Sequence, residues 1–479
     1  MLKLNKKTLP FWILTIAIFI IVIAPSLIQE GMFMDGLLYL GVSKNMAQGI
    51  GTFWEPIFSY SWHSFGSDFF HEQPPLGIGL QAIFFKIFGF SIYVERLYSF
   101  LVACITAYLI FKIWNKVTQD KFKNISWLPI LLWITIPISF WSIHNNILEN
   151  TLSLFALFSV LFILNGLHAQ KNKNLLFIVG GFFVFLATFT KGVPGLFPLA
   201  VIPLYWLIYR KCSFINSVLW TMIPILTVTT AYLLMLTISE GAFNSFKFYF
   251  QERLIGRISS SPTVDSRYWI LGKLFLELVP IMLLTLIFLA ITKNKENLSH
   301  INFKHVLLFF SIGICASIPL TLTMIQRPFY FSPSLPFFGI AAAFIIAPLL
   351  SQFITKINTA SIKFQTFKIL SSIALIASIT VTIISIGKTK RDELIINDIK
   401  TLSTVIPYNA TVKTTPKVNQ QWSNQVYAMR YHNLHLDSKK EKAEYHLFYK
   451  NTEVQNENLE LVALNLKLFK LYKVETPNE

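Results

Sequence analysis

Three carboxylates and a few cations stand out in a chain that is otherwise apolar. Asp35 lies in MDGLLYLGVSKNMAQG, a few residues after a first hydrophobic run. A carboxylate partly withdrawn from water at a membrane edge is a better proton acceptor and suits general-base work. Asp followed by Gly and an apolar run is also the pattern of a helix N-cap. Glu72 sits in HEQPPL beside His71. An acid ahead of Pro-Pro fits the start of a helix. Alternatively, Glu72 and His71 ligate a divalent cation or orient a substrate hydroxyl, although two ligands do not specify a metal. Glu149, in HNNILENTLSL, falls at the end of an apolar span. Ionisable groups at membrane depth mark function, unless they snorkel to the headgroups. His144 and Asn145 beside it read as ordinary loop polars.

Among the cations, Lys191 occupies the turn TKGVPG. Its glycines permit close backbone approach, and a lysine is a point-charge partner for phosphate. Arg253 and Arg257 in YFQERLIGRISS are four apart, on one helical face; with Arg267 they could clamp an anion or bind lipid headgroups. Arg327 and Tyr330, in QRPFYFSPSLP, share another span end, where the prolines predict a bent helix.

These residues need elements to hold them, and composition names the class. Of 479 residues 54% are hydrophobic and only 14% charged, against about 25% charged in soluble domains. A polytopic helical membrane protein fits. The net charge of +17 does not imply nucleic acid, because the basic residues fall mostly in short loops between apolar spans. Cys104, Cys212 and Cys315 have no metal-ligand spacing and read as packing residues without disulfides. The basic, apolar N-terminus has no small-residue cleavage site and reads as a retained first helix.

Apolar windows near 10–28, 92–113, 127–143, 147–167, 175–189, 194–209, 217–238, 269–291, 305–324, 329–350 and 367–387 predict eleven spans. The window 76–88 is short for a crossing and reads as interfacial. With a cytoplasmic N-terminus, loops carrying Lys116, Lys171, Arg210, Lys295 and Lys356 fall inside, as the positive-inside bias requires. The outer segments are then a first loop, about 29–91, a loop at 239–268 and a tail at 388–479. The tail is polar: ATVKTTP, EYHLFYK and LVALNLKLFKLYKV predict strands, and QWSNQVYAMRYHNL a helix. The expected domains are thus a membrane domain at 1–387, its first outer loop catalytic, and a small extracytoplasmic α/β domain at 388–479.

All the candidate residues fall on the outer face. An acid with several cations close to a bilayer suits a membrane-bound phosphorylated substrate, and no P-loop or strand-turn-helix GxGxxG is present.

The order of the motifs carries a resemblance. Asp35 after the first span, then NMAQG, WEP, HEQPPL, FFKIFG and VERL, resembles the GT-C integral-membrane glycosyltransferases. The resemblance is to glycosyltransferase family 39, the protein O-mannosyltransferase superfamily, and to the bacterial aminoarabinose transferases. It continues through NNILENT, TFTKGVPGL and RPFYFSPSLPF, and so covers most of 10–350. It implies an all-α GT-C fold that moves a sugar from a polyprenyl-phosphate carrier to an acceptor at the outer face. By the same resemblance Asp35 is the base, Glu72 and Glu149 are the other catalytic acids, and Lys191 lies near the carrier phosphate. Arg327 and Tyr330 match a position near the lipid-phosphate site. Two positions depart from the pattern. Asp35-Gly36 stands where mannosyltransferases have Asp-Glu, and Glu72-Gln73 where aminoarabinose-type members have Glu-Lys.

The expectation is an inverting glycosyltransferase of the cytoplasmic membrane, with its active site and tail outside. Heavy use of Lys, Asn and Ile suggests an AT-rich bacterium, hence undecaprenyl phosphate as carrier. The acceptor would be lipid A, a cell-surface glycan or a protein, with membrane lipids as neighbours and no cofactor beyond a possible divalent cation. The rival is a lipid or sugar transporter or flippase, which predicts polar residues at mid-membrane depth and internal symmetry. A non-catalytic scaffold would leave Asp35 and Lys191 without a role.

Overall fold

In the computed structural model, described at residues 5–59, 69–119, 121–256, 262–291, 301–454 and 458–474, helices dominate. Among the described residues, nine helices are long and apolar enough to cross a membrane, including Leu9–Ile28, Val94–Thr118, Leu148–His168, Lys173–Lys191 and Pro328–Thr355. Eleven spans were expected. The window 127–143 is instead a pair, Lys123–Ile134 and Pro137–His144, bent by 74° at Thr135–Ile136, where Pro137 prevents continuation. The window 194–209 opens as a tight 3-10 stretch, Val193–Ala200, before the short helix Val201–Tyr209. Prolines at 194 and 198 deny that stretch regular α-helical bonding.

The chain divides into two compact units. The first is Met1–Ile28 with Ser99–Ile386. In it the helix Leu148–His168 packs along Lys173–Lys191, and Leu9–Ile28 along Ile362–Ile384. Serine caps start several spans, Ser213 accepting from the Asn216 N–H and Ser361 from the Phe364 N–H. The outward faces are apolar: Ile369, Leu370, Ile373 and Ile376 are all exposed, as lipid contact requires.

The second unit is Gln29–Tyr98 with Gly387–Glu479. Its five-stranded sheet runs β2-β1-β3-β5-β4, where β1 is Thr411–Thr414, β2 His435–Asp437, β3 Tyr445–Tyr449, β4 Leu459–Leu461 and β5 Phe469–Val474. β1 pairs in parallel with β2 and β3, and β5 is antiparallel to β3 and β4. Alternation sets the register: Phe469 and Leu471 are buried while Lys470 and Tyr472 are only half-buried. The buried Asp398 of the helix Glu393–Leu402 accepts N–H bonds from Lys467, Leu468 and Phe469, tying that helix to the sheet. The helix Trp422–His432 packs on Met34–Ala47, which in turn packs on Leu76–Phe88. The first loop and the tail therefore fold together.

Candidate active site

In the membrane unit the structure brings Glu149, Lys191 and Tyr330 together. Lys191 Nζ lies 3.1 Å from Glu149 Oε1, with both side chains buried. The same ammonium is 5.9 Å from the centre of the Tyr330 ring. Glu149 stands in the first turn of Leu148–His168 and Lys191 ends Lys173–Lys191. Each charge thus meets the helix end that favours it. The snorkelling alternative for Glu149 is overturned, because burial beside an ammonium holds the acid in the protein. Gly192 closes the lysine helix at φ +77°, and a Cβ on Gly195 would come within 2.5 Å of the Thr188 nitrogen. Both glycines are needed for so tight a turn.

The approach to Glu149 is polar and buried. His144, Asn145 and Asn146 are under 9% exposed, so they are not ordinary loop polars. Asn146 takes φ +53° and accepts from Ser99 Oγ at 3.1 Å, while Asn145 donates to the Trp141 carbonyl. Upstream, Glu277 in the helix Trp269–Ile291 accepts the Ile138 N–H at 2.8 Å, capping Pro137–His144 from another helix. Glu277 lies inside a span, and its cap satisfies a donor that the 74° break leaves open.

Of the arginines, Arg253 is half-buried in the π-helical turn Tyr249–Ile255. Arg257 lies outside the described residues, so the shared Arg253–Arg257 face is not part of the description. Arg267 donates to the Leu322 carbonyl at 3.2 Å. Arg327 is exposed, just before the 3-10 helix Pro328–Ser334. The organiser here is Gln326, 1% exposed, which accepts the Ile270 N–H and donates to the carbonyls of Arg267 and Thr323.

In the second unit, Asp35 occupies the first turn of Met34–Ala47, but the N-cap is Phe33 and no side chain caps it. The N-cap reading of Asp35 therefore fails. Its carboxylate is half-buried and has no hydrogen-bond or ion-pair partner among the described residues. Every residue of this helix from Gly36 to Met46 is buried. Asn45 Nδ2 donates to the Ile57 and Phe58 carbonyls, and Lys44 Nζ donates to the Met429 carbonyl. Burial, then the nearby Arg430, pushes the Lys44 amine down to about 8. Glu95, fully buried, pairs with Arg96 at 3.2 Å and with Arg430, whose guanidinium also reaches the Ile92 carbonyl.

Glu72 is half-buried, ahead of the buried Gln73 and of the helix Leu76–Phe88. His71 Nε2 donates to the Trp54 carbonyl at 2.9 Å, which takes that nitrogen out of metal ligation. Burial pushes its imidazole down. No group of three or more His, Cys, Asp or Glu side chains among the described residues could hold a metal ion. Asp35 and Glu72 thus belong to one unit, and Glu149, Lys191 and Tyr330 to the other.

Residues 72–238, about a third of the chain, match the family described as dolichyl-phosphate-mannose-protein mannosyltransferase. The match takes in Glu72, Glu149 and Lys191. No curated protein matches the chain in sequence. Among solved structures, ArnT from Cupriavidus metallidurans bound to undecaprenyl phosphate superposes at TM-score 0.67 and 13% identity. That alignment covers 96% of this chain and 97% of ArnT. The apo form of ArnT gives 0.63 at 12% identity over the same shares. The oligosaccharyltransferase AglB from Archaeoglobus fulgidus gives 0.47 at 12% identity, over 92% of this chain and 69% of AglB. The chain is a multi-pass membrane protein with the GT-C fold that ArnT has.

Proposed function

We propose that the protein is an inverting glycosyltransferase that moves a sugar from a polyprenyl-phosphate carrier to an acceptor hydroxyl. The carrier is undecaprenyl phosphate, the lipid bound in the ArnT crystal structure. The acceptor is lipid A, a surface glycan or a protein. The matched family's description, with its lipid-phosphate-linked mannose, supports a donor of this class. The membrane domain is 1–387 and the α/β domain 388–479, with the site on the extracytoplasmic face of the cytoplasmic membrane.

The observation that carries the reading is Asp35. It is a half-buried carboxylate without a partner among the described residues, on a helix whose other positions from 36 to 46 are locked by packing. A carboxylate free of structural duty on a rigid element is available to take a proton. The acceptor oxygen attacks the anomeric carbon, its proton passes to Asp35, and the bond to the carrier phosphate breaks with the electron pair leaving on phosphate. A phosphate is already a good leaving group, so no general acid is needed. Lys191, steadied by Glu149 and flanked by Tyr330, offsets the charge growing on that phosphate. Arg253, Arg257, Arg267 and Arg327 complete a cationic surround for the phosphate, and Glu72 orients the acceptor. The transporter reading gains nothing from Glu277, whose carboxylate is occupied in capping a helix.

The test is incubation of the reconstituted protein with defined polyprenyl-phosphate sugars, followed by mass analysis of lipid, glycan and protein acceptors. Transfer that disappears in Asp35→Asn supports the reading. Absence of transfer from every donor, or full activity in a folded Asp35→Asn, overturns it.

A further inference from the structure

A cavity of about 480 Å³ lies in the membrane unit, far from the Glu149–Lys191 pair. It is built at the last turn of Val94–Thr118, the end of Leu148–His168, the end of Val201–Tyr209 and the start of Phe303–Ser317. The helix Leu148–His168 has Glu149 at one end and the cavity-lining His168 at the other. Its 21 residues span about 30 Å, at about 1.5 Å per residue, the thickness of a bilayer's hydrocarbon core. The cavity therefore sits at headgroup depth on the membrane face opposite the pair.

Its chemistry is one-sided. Lys121, Lys211 and Lys304 stand at its rim, all exposed, and His168 and His305 line it. No carboxylate lines it among the described residues; Asp120 lies outside them. The imidazoles are held in place by neighbours. His168 Nδ1 donates to the Leu164 carbonyl at 2.8 Å, and its ring meets Tyr205 edge-on at 5.7 Å. Tyr205 stacks on Tyr209 at 4.5 Å, and the Tyr209 hydroxyl bonds His305 Nδ1. With that hydroxyl donating, His305 Nε2 carries the ring proton and is a donor. Below the rim the floor is apolar, formed by Leu308 and Phe344.

We propose that this cavity binds the headgroup of an anionic phospholipid. Three point charges and one ring donor, His305 Nε2, suit a phosphate. The apolar floor at the bilayer edge suits the glycerol and first methylenes of a lipid rather than a freely dissolved ion. The volume is that of an ordinary small-ligand site. Such a lipid bridges four helix ends that otherwise meet across a gap. This site is independent of the transfer chemistry and does not rest on it.

The experiment uses the full-length protein in detergent, titrated with phosphatidylglycerol, phosphatidylcholine or inorganic phosphate, with native mass spectrometry and thermal unfolding as readouts. One phosphatidylglycerol binds tightly and raises the unfolding temperature, while phosphatidylcholine and inorganic phosphate do neither. Lys211→Gln and Lys304→Gln each weaken phosphatidylglycerol about fivefold, and together about thirtyfold. Both lysines are exposed, so the fold survives. The double variant Lys356→Gln/Lys363→Gln, at exposed lysines that do not line the cavity, leaves affinity unchanged. Equal loss in both double variants, no loss in Lys211→Gln/Lys304→Gln, or equal effects from inorganic phosphate or phosphatidylcholine would overturn the proposal.

Discussion

Lys191 Nζ and Glu149 Oε1 are 3.1 Å apart in a place almost closed to water, where neither charge is stable alone. Breaking such a pair strands the partner at a cost of about 3–5 kcal/mol, whereas replacing both charges is often close to neutral. Glu149→Gln and Lys191→Met should each lower the thermal midpoint sharply, and the double variant should recover most of that loss. If Lys191 also serves the carrier phosphate, the double variant is stable yet inactive. A stable double variant with native transfer rates would leave the pair a purely structural role.

Asp35→Asn separates chemistry from stability in the opposite way. The carboxylate has no partner to lose among the described residues, so unfolding should shift by no more than about 0.5 kcal/mol. Transfer should fall by roughly 10²–10⁴, the usual contribution of a general base. Asp35→Glu should retain part of the activity. A large stability change in Asp35→Asn would point to a structural duty instead.

Gly192 tests the turn that presents Lys191. At φ +77° any Cβ is strained, and here it would also press on the Tyr249 hydroxyl. Gly192→Ala should destabilise by about 1–3 kcal/mol and displace Lys191. Kinetics should show lower kcat in the folded fraction, whereas an unaffected kcat would detach the turn from catalysis.

The membrane class and the tail's main strands were legible because hydrophobic run length and alternation are local properties. The position of Asp35 just after the first span is likewise visible in one dimension, whereas its role is a proposal. The span count was less legible. A proline at 137 and the prolines of 193–200 alter backbone bonding inside windows whose composition still looks like a crossing.

Long-range pairings stayed hidden. Glu95 and Arg96 showed only as VERL, yet their partner Arg430 lies more than 300 residues on. Nothing in the sequence around Lys44 reveals its bond to the Met429 carbonyl or the nearby Arg430. Glu277 and Gln326 were single polar residues at apolar span positions, with no spacing to reveal that each satisfies backbone groups of another segment. The cluster of Glu149, Lys191 and Tyr330 was seen only as three separate candidates.

Arg430 makes the tail a support for the Asp35 helix. It meets both Glu95 and the Ile92 carbonyl, while its own helix packs on Met34–Ala47. Arg430→Ala leaves Glu95 buried with one fewer cation and should cost about 3 kcal/mol. Hydrogen exchange should quicken in Met34–Ala47 and Trp422–His432 but not in Leu148–His168. Transfer should drop with it, and Arg430→Lys should restore little, since one ammonium cannot span both contacts. Unchanged exchange in Met34–Ala47 would remove the support role.

Lys44 adds a pH signature to the same unit. Its amine falls from the ordinary 10.5 to about 8 on folding, so between those values the unfolded chain holds a proton that the folded chain has released. Stability therefore rises with pH across that window, and the cost of burying the charge is fully felt below about pH 8. The expected gain is on the order of 3 kcal/mol. Hydrogen exchange of the Met34–Ala47 amides, corrected for intrinsic rates, should show protection increasing from pH 8 to 10. Lys44→Met should flatten that slope. A slope of equal size in the variant would assign the effect to another group.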